Sequence, residues 1–146
     1  MEIPNPIVVT ANFFFDKLGL YNFRARIASS VLSKKAGKCR QLQQYVNLCY
    51  DIFRHIPLQL MGRPIAPLQL RREIQALLSM LSEKSIRVML EIGTANGGTL
   101  FLFTRVADSN ARIISLDLPH GKFGGGYENF KIPFFTNFAR KINEYS

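Results

Sequence analysis

The 146 residues contain no tryptophan, two cysteines and two histidines. Cys39 and Cys49 lie ten apart on one expected helix, where they would point in different directions. That excludes a disulfide-built scaffold and makes a reducing, cytoplasmic compartment the expectation. No two His, Cys, Asp or Glu residues form a recognisable metal pair, and neither cysteine has a neighbouring histidine to suggest a nucleophile, so no metal ligand and no catalytic residue is assigned. His55 reads as a helix-end residue and His120 as a loop residue. Long apolar runs are missing too: none approaches the ~18–20 residues of a membrane span. The opening Met1-Glu2-Ile3-Pro4-Asn5-Pro6 lacks the basic start and apolar stretch of a secretory signal.

Acidic residues are also few, ten against nineteen Lys and Arg, for a net charge of +9. Residues 1–64 hold nine Lys/Arg and three acids, and residues 65–146 hold ten and seven. Arg24, Arg26, Lys34, Lys35, Lys38 and Arg40 occur with no acid between Lys17 and Cys49. Such a run reads first as a solvated helix face. The alternative is a non-catalytic interaction module whose basic face meets an anionic polymer or membrane surface. Aromatic interleaving of the kind that stacks bases is absent, so nucleic acid is not an expected partner. A hydrophobic share of 47% with twelve Phe implies a folded core rather than disorder.

The apolar pattern predicts helices first. Residues 11–33 carry Leu20, Phe23, Ile27 and Val31 on one stripe, with Gly37 as a stop. Residues 38–56 carry Leu42, Tyr45, Val46, Cys49, Ile52, Phe53 and Ile56 at steps of three and four, and Pro57 ends them. The segment 57–67 reads as a loop. A third helix runs from Pro67 to Lys84 with Leu70, Ile74, Leu77, Leu78 and Leu81 inward. Ile86–Ile92 is apolar almost throughout, as expected of a strand covered on both faces. A helix over 98–108, a strand over 111–116, a glycine-rich loop over 118–127 and a helix over 128–145 complete the pattern. It is an α/β fold, with a helical region over 1–64 and an α/β unit over 65–146. A right-handed crossover makes the two strands parallel.

Chemistry concentrates where the first strand ends. Glu91-Ile92-Gly93-Thr94-Ala95-Asn96-Gly97-Gly98-Thr99 runs from strand through a glycine turn into a helix, and Asp117 closes the second strand twenty residues after Gly97. Glycine lets a ligand approach the backbone, and the first amides of a helix favour a negative group. A dinucleotide fingerprint would need a glycine where Ala95 stands. A pyrophosphate would also be repelled by Glu91, whereas a sulfonium or ammonium would be attracted. The pattern therefore favours S-adenosylmethionine (SAM) over NAD. Asp117 is suited to ribose hydroxyls.

These residues, with Ile113–Pro119 and Phe123-Gly124-Gly125-Gly126-Tyr127, resemble the cephalosporin hydroxylase/rhamnosyl O-methyltransferase family of class I SAM-dependent methyltransferases. The resemblance covers about residues 57–146, including Ile65-Ala66-Pro67-Leu68-Gln69 and Lys131-Ile132-Pro133-Phe134-Phe135. It implies a Rossmann-like sheet of which only the first two parallel strands are present, so the α/β unit over 65–146 is expected to be incomplete. It further implies that Glu91, Gly93, Thr94, Ala95 and Gly97 wall the methionine end of SAM. Gly98 and Thr99 would supply helix amides, Asp117 would hold the ribose and Leu118 would pack near the adenosine. Gln69 would lie at the mouth, and the 121–127 loop would cover the cofactor or shape the acceptor pocket. The implied reaction is methyl transfer to a hydroxyl of a sugar or other small molecule. In the family a divalent metal and the catalytic base come from later segments. With 29 residues after Asp117, the expectation is an N-terminal piece, inactive alone, whose open sheet edge is covered by a second copy or by a C-terminal half.

Overall fold

The computed structural model describes residues 14, 17, 18, 20–51, 67–95, 97–118 and 135–136. Its elements are α1 (Tyr21–Ala36), α2 (Leu42–Asp51), α3 (Arg71–Ser82), β1 (Val88–Ile92), α4 (Gly98–Phe103) and β2 (Arg112–Leu116). The expected stretches 52–66 and 119–134, and the end of the chain beyond Thr136, lie outside the described residues, as do His55, His120 and the 121–127 loop. Among the described residues the architecture is mixed α/β: four helices and one two-stranded parallel sheet.

The helices follow the apolar spacing, with shorter bounds. On α2, Val46 and Cys49 are fully buried while Leu42 and Tyr45 pack against the same core. On α3, Ile74 and Leu78 are buried, one helical turn apart. Glu73 in the first turn of α3 suits the positive end of the helix dipole. The core joins Leu32 and Ala36 of α1 to Val46, Cys49, Ile74, Leu78, Leu100, Phe101 and Leu102, so it draws on both sides of residue 64. α4 is the most completely enclosed helix, with Gly98, Leu100, Phe101 and Leu102 all buried.

Three expectations need correcting. α1 does not bury Leu20, Phe23 and Ile27 of the expected stripe, although its fourth member, Val31, packs partly buried against the core. It turns Ser29, Leu32 and Ala36 inward, and Phe23 and Ile27 stand 57% and 41% exposed. Ser29, Leu32 and Ala36 are buried on the core side of α1, and the bulky row is left on the opposite side. Gly37 does end α1, as its C-cap: it sits at φ −60, ψ −16 and donates its amide to Ser33 O at 2.9 Å. Cys39 precedes α2 rather than lying on it.

The sheet supplies the third correction. β1 and β2 are parallel in the register Val88↔Arg112 through Ile92↔Leu116. On β1 only Met89 and Glu91 are buried, while Val88, Leu90 and Ile92 are 68%, 56% and 79% exposed. Ile113 of β2 packs toward the core, and Ile114 and Leu116 face away from it. Side chains alternate along a strand, so one layer of helices can bury only every second residue. A continuous apolar run records suitability for two covered faces, and here one is covered.

Candidate functional site

The parallel register sets Glu91 beside Ser115, and both side chains lie on the helix-covered face. Ser115 Oγ donates to Glu91 Oε2 at 3.0 Å, and the Ser115 and Thr94 hydroxyls are hydrogen-bonded to each other. Glu91 is only 6% exposed, and its other oxygen, Oε1, has no hydrogen-bond partner among the described residues. Burial pushes the Glu91 carboxyl above the ordinary range. The Ser115 and Thr94 hydrogen bonds pull it back, and the nearby Asp117 charge adds to the rise. A buried carboxylate with one unsatisfied oxygen is costly unless a cation or donor meets it.

The turn after β1 is built from left-handed backbone. Gly93 stands at φ +87, Ala95 at φ +48 and Gly97 at φ +85. Gly93 donates its amide to Leu116 O at 2.8 Å, which lashes the turn to the end of β2. Its chain neighbours aside, no atom of the described residues lies within 4 Å of where a Gly93 Cβ would point, so the described residues leave this side of the turn open. Gly97 differs: a Cβ there would collide with the ring of Phe135. Its amide bonds Thr94 O, and its carbonyl accepts from Phe101 to start α4, both at 2.8 Å.

Asp117 completes the arrangement. Its Oδ2 accepts from the amide of Ala95 and its Oδ1 from the amide of Leu118, each at 3.0 Å. Two backbone donors leave further lone pairs on the carboxylate for another partner. Leu118 follows as a largely exposed side chain.

Glu91, Gly93, Thr94, Ala95 and Asp117 are thus brought together. Gly97 and Gly98 are buried behind them against Phe135 and Cys49, whose thiol lies 3.7 Å from Gly98 O. Thr99 faces another neighbour, donating to Gln69 Oε1 at 3.3 Å. The Gln69 carbonyl in turn accepts from Tyr50 OH at 2.7 Å. Arg71 holds Asp51 at 2.6 Å and lies over the Tyr50 ring. Ser115 and Phe135 are the participants that motif reading misses. Ser115 leaves one signal, a lone hydroxyl two residues before Asp117 in an apolar strand and therefore on the same face. Phe135 enters only as part of the Lys131–Phe135 stretch of the resemblance, with no sign of its approach to Gly97, which is wholly tertiary.

Among the described residues, no three His, Cys, Asp or Glu side chains gather where they could hold a metal ion. No described helix is long and apolar enough to cross a membrane. No family model, no curated protein and no solved structure matches the chain.

Proposed function

We propose that β1, α4 and β2 belong to a Rossmann-like methyltransferase sheet and that the turn after β1 binds SAM for methyl transfer to a hydroxyl of a sugar or other small molecule. The observation that carries this reading is the Glu91 carboxylate, buried at the end of β1 with Oε1 unsatisfied beside an open glycine turn. A site that takes a pyrophosphate would hold an anion against this acid; a cationic ligand relieves it.

The residues suit the parts of that ligand. The buried Glu91 Oε1 would meet a positive group at the methionine end once a side-chain rearrangement exposes it, and at Gly93 the described residues leave room for backbone approach. Asp117 keeps lone pairs for a ribose diol while its bonds to Ala95 and Leu118 hold it in place. Leu118 offers an apolar surface at the end of β2. When bound, the cofactor supplies an electrophilic methyl group on a sulfonium. The chain's contribution is alignment, since holding donor and acceptor in line removes much of the entropic barrier. The acceptor hydroxyl gives up its proton to a base that none of the described residues is assigned to be.

Calorimetric titration of the full chain with SAM, S-adenosylhomocysteine and NAD tests the proposal without requiring turnover. The expected result is saturable binding of the first two, none of NAD, and at least tenfold weaker SAM binding by Glu91→Gln. Absence of SAM binding, or a Glu91→Gln variant that binds it equally well, overturns the reading.

A further inference from the structure

The outward side of α1 carries a row that folding leaves unused. Leu20, Phe23, Ile27, Ser30 and Lys34 follow one another at steps of three and four, which places them on one line along the helix. All five are exposed, and they lie opposite the buried Ser29, Leu32 and Ala36. Arg26 is exposed beside this row, one turn from both Phe23 and Ser30. Just before the helix, Phe14 and Leu18 are exposed as well. Arg26, Lys34 and the following Lys38 have no ion-pair partner among the described residues, and no acid occurs between Lys17 and Cys49. Apolar and cationic side chains thus share one solvent-facing surface.

From this juxtaposition we infer that α1 docks on the surface of an anionic phospholipid bilayer, with Phe23 and Ile27 entering the headgroup boundary and Arg26 and Lys34 meeting lipid phosphates and carboxylates. Charge decides between occupants. A second copy would bring Arg26 and Lys34 against the same cations, at a cost to association. An anionic polymer would satisfy the cations but leave Phe23, Ile27 and Leu20 without a role. A bilayer interface accepts both kinds of side chain, because long cationic chains reach headgroups while aromatic and aliphatic ones bury beneath them. The inference stands independently of the SAM reading, since none of the residues it uses is proposed to meet the cofactor.

Co-sedimentation of the full chain with vesicles tests it, comparing phosphatidylcholine alone with phosphatidylcholine carrying about one-third phosphatidylserine. The expected result is binding to the anionic vesicles only, weakening as salt rises. Replacing Arg26 and Lys34 by Gln should weaken it roughly fivefold for each cation removed. Phe23→Ser with Ile27→Ser should weaken it at least tenfold, with unchanged circular dichroism because both side chains point away from the core. Three outcomes overturn the inference. One is no preference for anionic vesicles. Another is polyuridylic acid binding that depends on Arg26 and Lys34, with vesicle binding indifferent to Phe23 and Ile27. The last is a dimer in sedimentation equilibrium that Phe23→Ser dissociates while vesicles go unbound.

Discussion

Asp117 Oδ2 accepts the amide of Ala95 at 3.0 Å, so the acid that ends the second strand fastens the turn that follows the first. Ala95 is the one described residue other than glycine with positive φ, +48. A left-handed alanine costs about 1–2 kcal/mol, and a charge-assisted hydrogen bond from its own amide offsets that cost. Asp117 therefore has a structural task alongside any contact with a ligand.

Asp117→Ala removes acceptors for two backbone amides and should lower unfolding free energy by about 2 kcal/mol in urea titrations. Ala95→Gly relieves the strained backbone but loosens the unfolded chain. Its stability should stay within about 1 kcal/mol of the parent. A large loss in Ala95→Gly would mean that the methyl group, rather than the hydrogen bond, holds the turn.

Glu91 makes stability depend on pH in a definite direction. Burial raises its folded pKa above the ordinary carboxyl value of 4.5, so the native state holds the proton more tightly. Its contribution is complete below the unfolded pKa and is lost as pH rises through the folded one. Glu91→Gln abolishes that loss, so at neutral pH the variant should be at least as stable as the parent in thermal melts. SAM affinity should rise with pH across the same window in the parent and stay flat in the variant, because a cation selects the ionised carboxylate.

The one-sided sheet separates neighbouring positions on β1. Met89→Ala empties part of the core side and should cost 2 kcal/mol or more, within the roughly 2–5 kcal/mol range for such truncations. Ile92→Ala removes a side chain that is 79% exposed, and should change stability by less than about 0.5 kcal/mol. Equal losses in denaturant titrations would mean that both faces are covered in solution.

Thiol labelling distinguishes the cysteines. Cys49 is fully buried, and burial pushes its thiol pKa up, which suppresses the reactive thiolate. Ellman's reagent should modify the partly exposed Cys39 first and reach Cys49 only as denaturant opens the core. Rapid labelling of both in native buffer would contradict the packing of α2 against α4.

Much of the fold is legible because local periodicity and final burial agree on α2 and partly on α3, where Leu70 and Leu77 of the expected stripe are exposed. Val46, Cys49, Ile74 and Leu78 are inward both by spacing and in the structure. On α1 they part company: Phe23 and Ile27 form the more hydrophobic stripe, yet Ser29, Leu32 and Ala36 face the core. In the site, Glu91, the glycine turn and Asp117 can be picked out from residue type and spacing. Ser115 becomes a participant only through the register that sets it against Glu91.

The order of residues alone pointed to a strand, a glycine turn and a helix within 86–108, a second strand over 111–116 and an acid at the end of each strand. Each follows from interactions a few residues long, chiefly strand alternation, helical spacing and the backbone freedom of glycine. Only the tertiary structure decided which side of each element is buried. It left Val88, Leu90 and Ile92 outside, turned the Phe23–Ile27 row outward, and buried Glu91 with one oxygen unsatisfied. Burial depends on which surfaces meet, and a linear pattern can state only how well each surface would tolerate the meeting.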